Sequence, residues 1–410
     1  MARDFAAAGL EVVAVGSLAE GEERARQEAE GALVTLDSVL CSPTVIRRFV
    51  KAARARPGSV ALVCALPRAV GTDYLSLVEG LEARETPAAA TAVAAAASPG
   101  TAAAAMGTPG KTVWTVPLFF VRGTGALAAA EPAVQTYNET LLRFPIPFGI
   151  LGREGEELLV GLSESYMCSV SHWVHVLRIN SAAMAGWWVK RLRLGYVLGA
   201  FWLFWRFLCG FPWWGGRLFG AIRGVSWGAK VHHTAVAELS IVKKGAIVGA
   251  NASLKNCFVD EGATIGEGAR VSGCVIGKGA LVAPNSIVNL SVVYPGAMAG
   301  QLLMQASVLG KNSAAFTNSC FYDLNFSRNI RVVHKGRVVD SGTQMLGVCV
   351  GPEARVAAGI WVASGREVPA GALLIKPPGE VATNMGRPAR GEPHVVVEGD
   401  VVPLPAAKKP

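Results

Sequence analysis

The sequence contains few charged residues, and acidic residues are the scarcer kind. Only 17% of the 410 residues are charged, 51% are hydrophobic, and the formal net charge is +9. An excess of Lys and Arg can serve nucleic-acid binding, but here these residues are not interleaved with any nucleic-acid motif, so no nucleic-acid partner is expected. The high hydrophobic content instead favours contact of part of the chain with a membrane.

Paired cysteine motifs and a secretory leader are also missing. The eight Cys are scattered without a CxxC pair. The first residues, MARDFAAAGLEVVAVG, lack a basic segment followed by an apolar core and a cleavage site. We therefore expect free thiols, no metal site and a cytoplasmic setting.

The first part of the chain alternates short apolar segments with helical ones. LEVVAV, ALVTL and SVALVCAL are separated by an Ala/Glu/Arg-rich helix and by SPTVIRRFVKAARA. This βαβ rhythm predicts an α/β domain with a parallel sheet over residues 1–165. Residues 86–110 are Ala-rich and of low complexity, which predicts a flexible insertion. Strands are expected to resume at TVWTVPLFFVRG and to continue to ELLVGL.

No acidic residue lies between Glu164 and Glu238, and this interval also holds eight of the ten Trp. Trp rings at the headgroup level and cations beside anionic lipid are typical of a bilayer interface. Residues 166–230 are therefore predicted to be a basic, Trp-rich amphipathic linker that lies peripherally on the inner face of the cell membrane. The expected contacts with the anionic surface are Trp187, Trp188, Arg191, Trp202, Trp205, Trp213 and Trp214.

Within this linker, the uncharged stretch Leu194–Trp205 is too short to cross a bilayer as a helix, which needs about 20 residues. Extending it to Gly216 places Arg206 near the middle, beside the helix breakers Gly210 and Pro212. A surface-lying or re-entrant anchor is therefore favoured over a span. The alternative is that these aromatic residues form the core that joins two domains.

A repeat begins at Val248, in units of six, five and six residues: VGANAS, LKNCF, VDEGAT, then IGEGAR, VSGCV, IGKGAL. Aliphatic residues thus recur every 17 positions, as at Val248, Ile265 and Val282. An inward aliphatic residue opens each unit, and Gly, Asn or another small residue permits a sharp corner. The pattern predicts a three-sided parallel β-solenoid.

The pattern stops after Ala299 and returns at Val350 as VGPEAR, VAAGIW, VASGRE and VPAGAL. The solenoid is predicted over residues 231–379, with an inserted loop at 299–345 and a C-terminal tail at 380–410. Long loops that leave a rigid scaffold usually carry function or an interface.

Two cysteines, Cys257 and Cys274, occupy the same place in successive coils, and Ser291 is next in line. Stacking of small side chains is the favoured interpretation. A disulfide or a metal site would need partners that the sequence does not show.

With these repeats, the chain resembles sugar nucleotidyltransferases that carry a C-terminal hexapeptide-repeat domain, such as the bifunctional uridylyltransferase/acetyltransferases and relatives of mannose-1-phosphate guanylyltransferase. The resemblance implies an α/β domain followed by an all-β domain, a left-handed parallel β-helix, in a homotrimer. The segment GRPAR, residues 386–390, is similar to the ending that follows the last coil. In the first half, ALVTLDSVLCSPTVIRRFVKAA is similar to the strand, acidic metal-binding position and helix of the nucleotide-binding domain, which implies Asp37 as the magnesium or nucleotide ligand.

The chain departs from that family at its start. The family opens with a Gly-rich loop and a basic residue that hold the triphosphate, and no clustered glycines precede Leu33. Nucleotidyl transfer and a magnesium cofactor are therefore not expected, and the first domain is interpreted as a degenerate, regulatory or sugar-nucleotide-recognising module. For Asp37, the favoured alternative is a turn residue at the end of a strand.

The resemblance to hexapeptide acyltransferases implies a His that acts as general base while the acceptor attacks an acyl thioester. The implied donor is acyl-CoA or acyl carrier protein, and the implied acceptor is a sugar or a sugar nucleotide. The membrane-facing linker favours a lipid-linked or other sugar of the cell envelope. His334 lies in the inserted loop, which could reach a neighbouring subunit of a trimer, and is the predicted catalytic residue. Asp340 or Asp323 would orient its ring.

The other histidines have weaker support. His172 and His175 would share a helix face, but they lie in the Trp-rich linker and are interpreted as facing lipid, the linker or the core. His232 and His233 precede the first coil, where a cap is as compatible with the sequence as a catalyst. Because no His falls within coils 248–298, a non-catalytic trimeric scaffold on the membrane and a module that binds a sugar nucleotide without turnover stay open as alternatives.

Overall fold

The structure is a computed structural model with two compact units. It describes residues 13, 17–36, 39–56, 60–67, 82–84, 113–127, 130–134, 140–145, 157–162, 167–177, 179–180, 183–184, 224–300, 303–382 and 394–403. The first unit comprises Met1–Trp214 and Phe326–Gln344, and the second comprises Gly215–Asn325 and Met345–Pro410. The apolar segment LEVVAV lies almost entirely outside the described residues.

Two helices of the first unit begin after a serine cap, one in the Ala/Glu/Arg-rich segment and one in SPTVIRRFVKAARA. Helix α1 spans Leu18–Gln27, and the side chain of Ser17 accepts a hydrogen bond from the Glu20 backbone N–H at 3.2 Å. Helix α2 spans Pro43–Arg54, and Ser42 caps it with a proline in the first turn. The buried face of α2 is formed by Val45, Ile46, Phe49 and Ala53.

Before residue 170, the described strands of the first unit are β1 (Ala32–Thr35), β2 (Val39–Cys41), β3 (Val60–Pro67), β4 (Glu82–Arg84), β5 (Val113–Arg122), β6 (Glu131–Val134), β7 (Thr140–Pro145), β8 (Glu157–Leu162) and β9 (Met167–Ser169). Strands β2 and β9 form one antiparallel pair, and β7 and β8 form another.

The main sheet has the order β1-β5-β3-β6, with β4 also paired to β5. Strand β5 is antiparallel to β1, β3 and β4, and among the described strands of this sheet only β3 and β6 pair in parallel. The predicted parallel sheet is therefore wrong. Strands β1 and β3 do run in one direction, as a βαβ rhythm requires, but β5 lies between them. The nucleotide-binding role implied by the resemblance stays a prediction, and Asp37 lies outside the described residues.

The second unit contains the predicted parallel β-solenoid. Its first sheet consists of Gly224–Val225, Ile241–Val242, Phe258–Val259, Val275–Ile276, Val292–Val293, Val308–Leu309, Cys349–Val350 and Glu367–Val368. Its second sheet consists of Lys230–Val231, Ile247–Val248, Thr264–Ile265, Leu281–Val282, Met298–Ala299, Ala314–Ala315, Arg355–Val356 and Leu373–Leu374. Its third sheet consists of Val236–Glu238, Ser253–Lys255, Arg270–Ser272, Ile287–Asn289, Leu303–Gln305, Cys320–Phe321 and Trp361–Val362.

The solenoid core is a stack of the inward aliphatic residues that the repeat predicts. Val248, Ile265 and Val282 are 0–1% exposed and pair in register along the second sheet. Full burial of one such side chain contributes about 1.5–3 kcal/mol. The inward aliphatic residues that identify the fold in the sequence therefore also stabilise it, through burial of their side chains.

Sharp corners depend on residues that tolerate a left-handed backbone or have no side chain. Asn251, Gly268 and Asn285 recur at one corner with φ of 57°, 65° and 57°, which Gly and Asn adopt at low cost. Gly266 is required for another reason: a Cβ there would lie 2.4 Å from the backbone nitrogen of Pro284 in the next coil.

A buried ladder of hydroxyl and thiol groups lines the corner between the third and first sheets. The Ser240 hydroxyl donates to the Glu238 carbonyl at 2.8 Å and accepts from the Cys257 N–H at 3.1 Å. Cys257 and Cys274 have free thiols, and each thiol lies near a carbonyl two residues earlier. Stacking of small side chains, the favoured interpretation of the cysteine spacing, is confirmed.

The insertion into the solenoid is shorter than the predicted loop at 299–345. Coils continue through Cys320–Phe321, and the next solenoid strand is Cys349–Val350. In the second sheet Ala299 pairs with Ala315, one residue short of the usual 17-residue period. A sequence pattern with a strict 17-residue spacing therefore does not include this coil. The non-solenoid segment is therefore residues 322–348.

After the last coil, a 3₁₀ helix covers Pro378–Glu380, and a hairpin pairs His394–Val397 with Asp400–Pro403. The GRPAR segment lies outside the described residues. In the part of the chain that the structure describes, no helix has the length and apolar character needed to span a bilayer.

Candidate histidine site

The inserted hairpin, residues 331–340, carries the predicted catalytic residue. Strand β10 (Arg331–His334) pairs antiparallel with β11 (Arg337–Asp340). Lys335 and Gly336 form the turn with φ of 46° and 76°, as two-residue hairpins require. Side chains alternate between two faces, so Val332 and His334 are buried while Val333 is 54% exposed.

His334 belongs to a group of three histidines, His172, His175 and His334, which we call the histidine cluster. The ring centroid of His172 lies 5.4 Å from that of His334, edge to face, and 6.4 Å from that of His175. His175 is 2% exposed and His334 is 3% exposed. All three residues belong to the first unit, where His172 directly precedes helical residues 173–177.

Backbone hydrogen bonds fix the tautomers of two of these rings. The Nδ1 of His172 accepts from the Val174 N–H at 3.3 Å, and the Nδ1 of His175 accepts from the Ser171 N–H at 3.2 Å. An accepting Nδ1 is unprotonated, so both rings are neutral and carry their proton on Nε2. The Nε2 of His172 is buried, with no hydrogen-bond partner among the described residues.

The surroundings of His172 oppose its protonation. Burial lowers the pKa of His172 to about 4, and the charges that His334 and His175 would carry also lower it. The backbone of Val333 acts in the opposite direction, although its geometry falls short of a hydrogen bond. The cluster therefore favours an uncharged ring at neutral pH.

Asp340, the proposed partner of His334, lies at the other end of the hairpin. It is paired with Arg331, whereas His334 is paired with Arg337. The Asp340 carboxylate accepts from the Gly342 N–H at 2.7 Å and from the Asn329 side chain at 3.4 Å. The structure thus does not bring Asp340 to the His334 ring.

The remaining predicted residues fall elsewhere. Asp323 belongs to the second unit, and burial raises its pKa. His232 and His233 lie at an exposed corner of the first coil, with ring centroids 4.3 Å apart, and His232 contacts the Thr234 hydroxyl at 2.9 Å. The predicted membrane contacts Trp187, Trp188, Arg191, Trp202, Trp205, Trp213 and Trp214 all lie outside the described residues.

Sequence reasoning did not connect His172 and His175 with His334. The three-residue spacing placed the first two on one helix face, but no sequence signal joins that face to a hairpin far along the chain. In the part of the chain described by the structure, no group of three or more His, Cys, Asp or Glu has an arrangement that could hold a metal ion.

Outside this cluster, the second solenoid sheet presents an outward row of aliphatic residues. Ile247 is 42% exposed and Leu281 is 36% exposed, and Thr264 lies between them in register. Met298 continues the row at intermediate exposure. A flat, partly exposed aliphatic strip of this kind is typical of a protein–protein contact.

No protein-family model and no curated protein sequence matches the chain. Among solved structures, those similar to part of it include hexapeptide-repeat acetyltransferases. The acetyltransferase domain of PglB from Neisseria gonorrhoeae, in complex with acetyl coenzyme A, is 15% identical over 37% of this chain and 53% of its own, with a TM-score of 0.20.

Two further structures are similar to a comparable share of the chain. A hexapeptide transferase family protein from Anaplasma phagocytophilum is 18% identical over 37% of this chain and 72% of its own, with a TM-score of 0.22. A perosamine N-acetyltransferase mutant from Caulobacter crescentus, in complex with CoA and GDP-perosamine, is 17% identical over 37% of this chain and 52% of its own, with a TM-score of 0.18. The chain thus spans about half the length of the first and third of these structures.

Proposed function

We propose that this protein is a hexapeptide-repeat acyltransferase that acts on a sugar, a sugar nucleotide or a lipid-linked sugar of the cell envelope. The observation that carries the proposal is the insertion of a histidine-bearing hairpin into one corner of a solenoid with hexapeptide repeats. Acyl-CoA or acyl carrier protein is the proposed donor. Magnesium has no role in this reaction.

In the proposed reaction, His334 takes a proton from the attacking hydroxyl or amine of the acceptor. The new C–O or C–N bond forms at the thioester carbonyl, the C–S bond breaks, and the departing thiolate receives the proton. The base must be neutral before the reaction. Its ring lies edge to face against the ring of His172, 5.4 Å away between centroids.

The donor is tested first by thermal shift against a panel of acyl-CoAs, nucleoside triphosphates and sugar nucleotides. A ligand at 100 times its Kd stabilises the protein by about 2.7 kcal/mol. A shift with an acyl-CoA supports acyl transfer. A shift with sugar nucleotides alone supports a binding module, and no shift with any member supports a scaffold.

The base is tested by substitution in the full chain. With a donor and acceptor from that panel, free thiol release and mass spectrometry of the acceptor measure turnover. His334→Ala is expected to lower kcat by about 10²–10⁴-fold, while the matched variant His233→Ala, at an exposed solenoid corner, retains it. Unchanged turnover in His334→Ala would exclude His334 as the base.

A non-catalytic scaffold is the second candidate, and the aliphatic row of the second sheet favours it. We propose that this row assembles the protein as a homotrimer, because burial of Ile247, Leu281 and Met298 removes apolar surface from water. Leu281→Asp should then shift the protein to monomer in analytical ultracentrifugation. Val236→Asp, on the third sheet, is the control, and a trimer that survives Leu281→Asp would contradict this interface.

A further inference from the structure

The histidine cluster joins two elements that are far apart in sequence. His172 directly precedes helical residues 173–177, His175 lies within them, and His334 lies in the inserted hairpin. We propose that the neutral ring of His172, which packs edge to face on His334, holds the hairpin against this helix, and that protonation of His172 between neutral pH and about pH 5 releases the hairpin. The inference does not depend on acyl transfer.

The hairpin is anchored on this side by two buried side chains. Val332 is 0% exposed and His334 is 3% exposed, whereas the intervening Val333 faces outward. At the base of the hairpin, the Ile330 N–H donates to the Thr343 carbonyl at 2.9 Å, and the Ser341 N–H donates to the Ile330 carbonyl at 3.0 Å. Because this base is closed by backbone bonds, the hairpin is expected to move as a unit when its buried face is released.

No compensating negative charge lies at the cluster on either element, as far as the structure describes them. The hairpin carries the exposed cations Arg331, Lys335 and Arg337, and its carboxylate, Asp340, is engaged by Gly342 and Asn329 at the opposite end. The described helical residues that adjoin the cluster, 173–177, include no acidic residue. Among the described residues of these two elements, a proton added to His172 therefore meets the rings of His175 and His334 and no carboxylate.

The direction of the pH effect follows from the lowered pKa of His172, about 4 in the docked state, against about 6.5 for a free His. The undocked ring binds a proton at higher pH than the docked ring does. Docking is therefore fully stable above about pH 6.5 and weakens as the pH falls from there towards 4. Each proton taken up on release changes the opening equilibrium by up to about tenfold per pH unit.

The test is hydrogen–deuterium exchange of the full chain at pH 7.5 and pH 5.0, with uptake corrected for intrinsic exchange. We expect the peptide that covers residues 330–341 to gain at least about tenfold in exchange at the lower pH. His172→Phe keeps an aromatic ring and cannot be protonated, so it should abolish the pH dependence. The control His233→Phe alters the exposed pair at the first coil and should retain it.

A hairpin whose exchange does not change with pH in the parent protein would overturn the proposal. The same holds if His172→Phe and the parent show the same pH dependence. Should His172→Phe fail to fold, NMR titration of the histidine ring protons in the parent decides the question. A His172 signal that titrates above pH 6 contradicts the proposal, and one that moves only as the hairpin signals change supports it.

Discussion

The Sγ of Cys274 accepts a hydrogen bond from the backbone N–H of Ser291, one coil further along the solenoid, at 3.4 Å. Ser240, Ser291 and Ser307 take equivalent places at this corner. Cys274→Ser should therefore keep the ladder and stay within about 1 kcal/mol of the parent. Cys274→Val leaves the Ser291 N–H without its acceptor and should cost about 1–3 kcal/mol in urea unfolding. Equal stabilities of the two variants would contradict this account.

The same buried thiols predict a loss of stability at alkaline pH. Burial raises the pKa of Cys257 to about 11 and that of Cys274 well above 9. Between pH 9 and 11 the unfolded chain therefore releases protons that the folded solenoid retains, and the free energy of unfolding falls as the pH rises. Urea unfolding at pH 8 and pH 10 measures this loss. The double variant Cys257→Ser, Cys274→Ser should show a smaller difference between the two conditions.

Two glycines of the solenoid should differ in their response to the same substitution. A Cβ at Gly266 meets the backbone of Pro284 at 2.4 Å, whereas a Cβ at Gly279 meets nothing within 4 Å. Gly279→Ala should destabilise the protein only because alanine disfavours a φ of 65°, at a cost of about 1–2 kcal/mol. Gly266→Ala must displace the next coil and should cost about 3 kcal/mol or more. Thermal unfolding of both variants measures which loses more stability. A larger loss of stability in Gly279→Ala than in Gly266→Ala would contradict this prediction.

Asp340 is expected to act on the hairpin and not on the base. Its carboxylate accepts from Gly342 and Asn329, so Asp340→Asn weakens a charge-assisted hydrogen bond worth about 1.5–3 kcal/mol. Protease sensitivity of the hairpin should rise, while the pH profile of kcat should keep the parent midpoint. A displaced midpoint would show that Asp340 positions the His334 ring after all.

The Trp-rich segment is predicted to bind anionic membranes. Replacing Arg191 by Glu should weaken sedimentation with anionic liposomes by about fivefold or more, since each cation near the surface contributes about 1 kcal/mol. Removal of Leu194–Gly216 should abolish binding, and neutral liposomes should bind both forms weakly. Trp361→Ala, which alters a Trp that is 69% exposed on the third solenoid sheet, is the matched control. Liposome binding that survives the deletion would contradict the anchor.

The solenoid could be predicted because the residues that define each coil are close together in the sequence. Each inward aliphatic residue and each corner Gly or Asn lies a few positions from the next, so the period can be read without tertiary information. The solenoid turn from Met304 to Phe321 was missed because it follows a shortened corner and places Ala315 where a larger aliphatic residue was expected. A prediction based on sequence periodicity therefore misses a coil whose length differs from that of the others.

The first unit and the histidine cluster depend on distant contacts, which the sequence does not display. Strand β5 separates β1 from β3 although it comes later in the chain than either, so a βαβ rhythm alone predicted the wrong neighbours. His334 could be singled out by its place in the insertion. Its contact with His172 could not, because nothing in either segment specifies the other.

The strands that flank the insertion pair in parallel register, as the other solenoid strands do: Val308 aligns with Cys349, and Cys320 aligns with Trp361. Elsewhere at this corner, two residues such as Ala306 and Ser307 suffice to join the sheets. Because loop-closure entropy rises only slowly with loop length, this junction can accept segments of very different size at little thermodynamic expense. This corner of the solenoid can therefore accept inserted sequences of different length while the coils on either side keep their register.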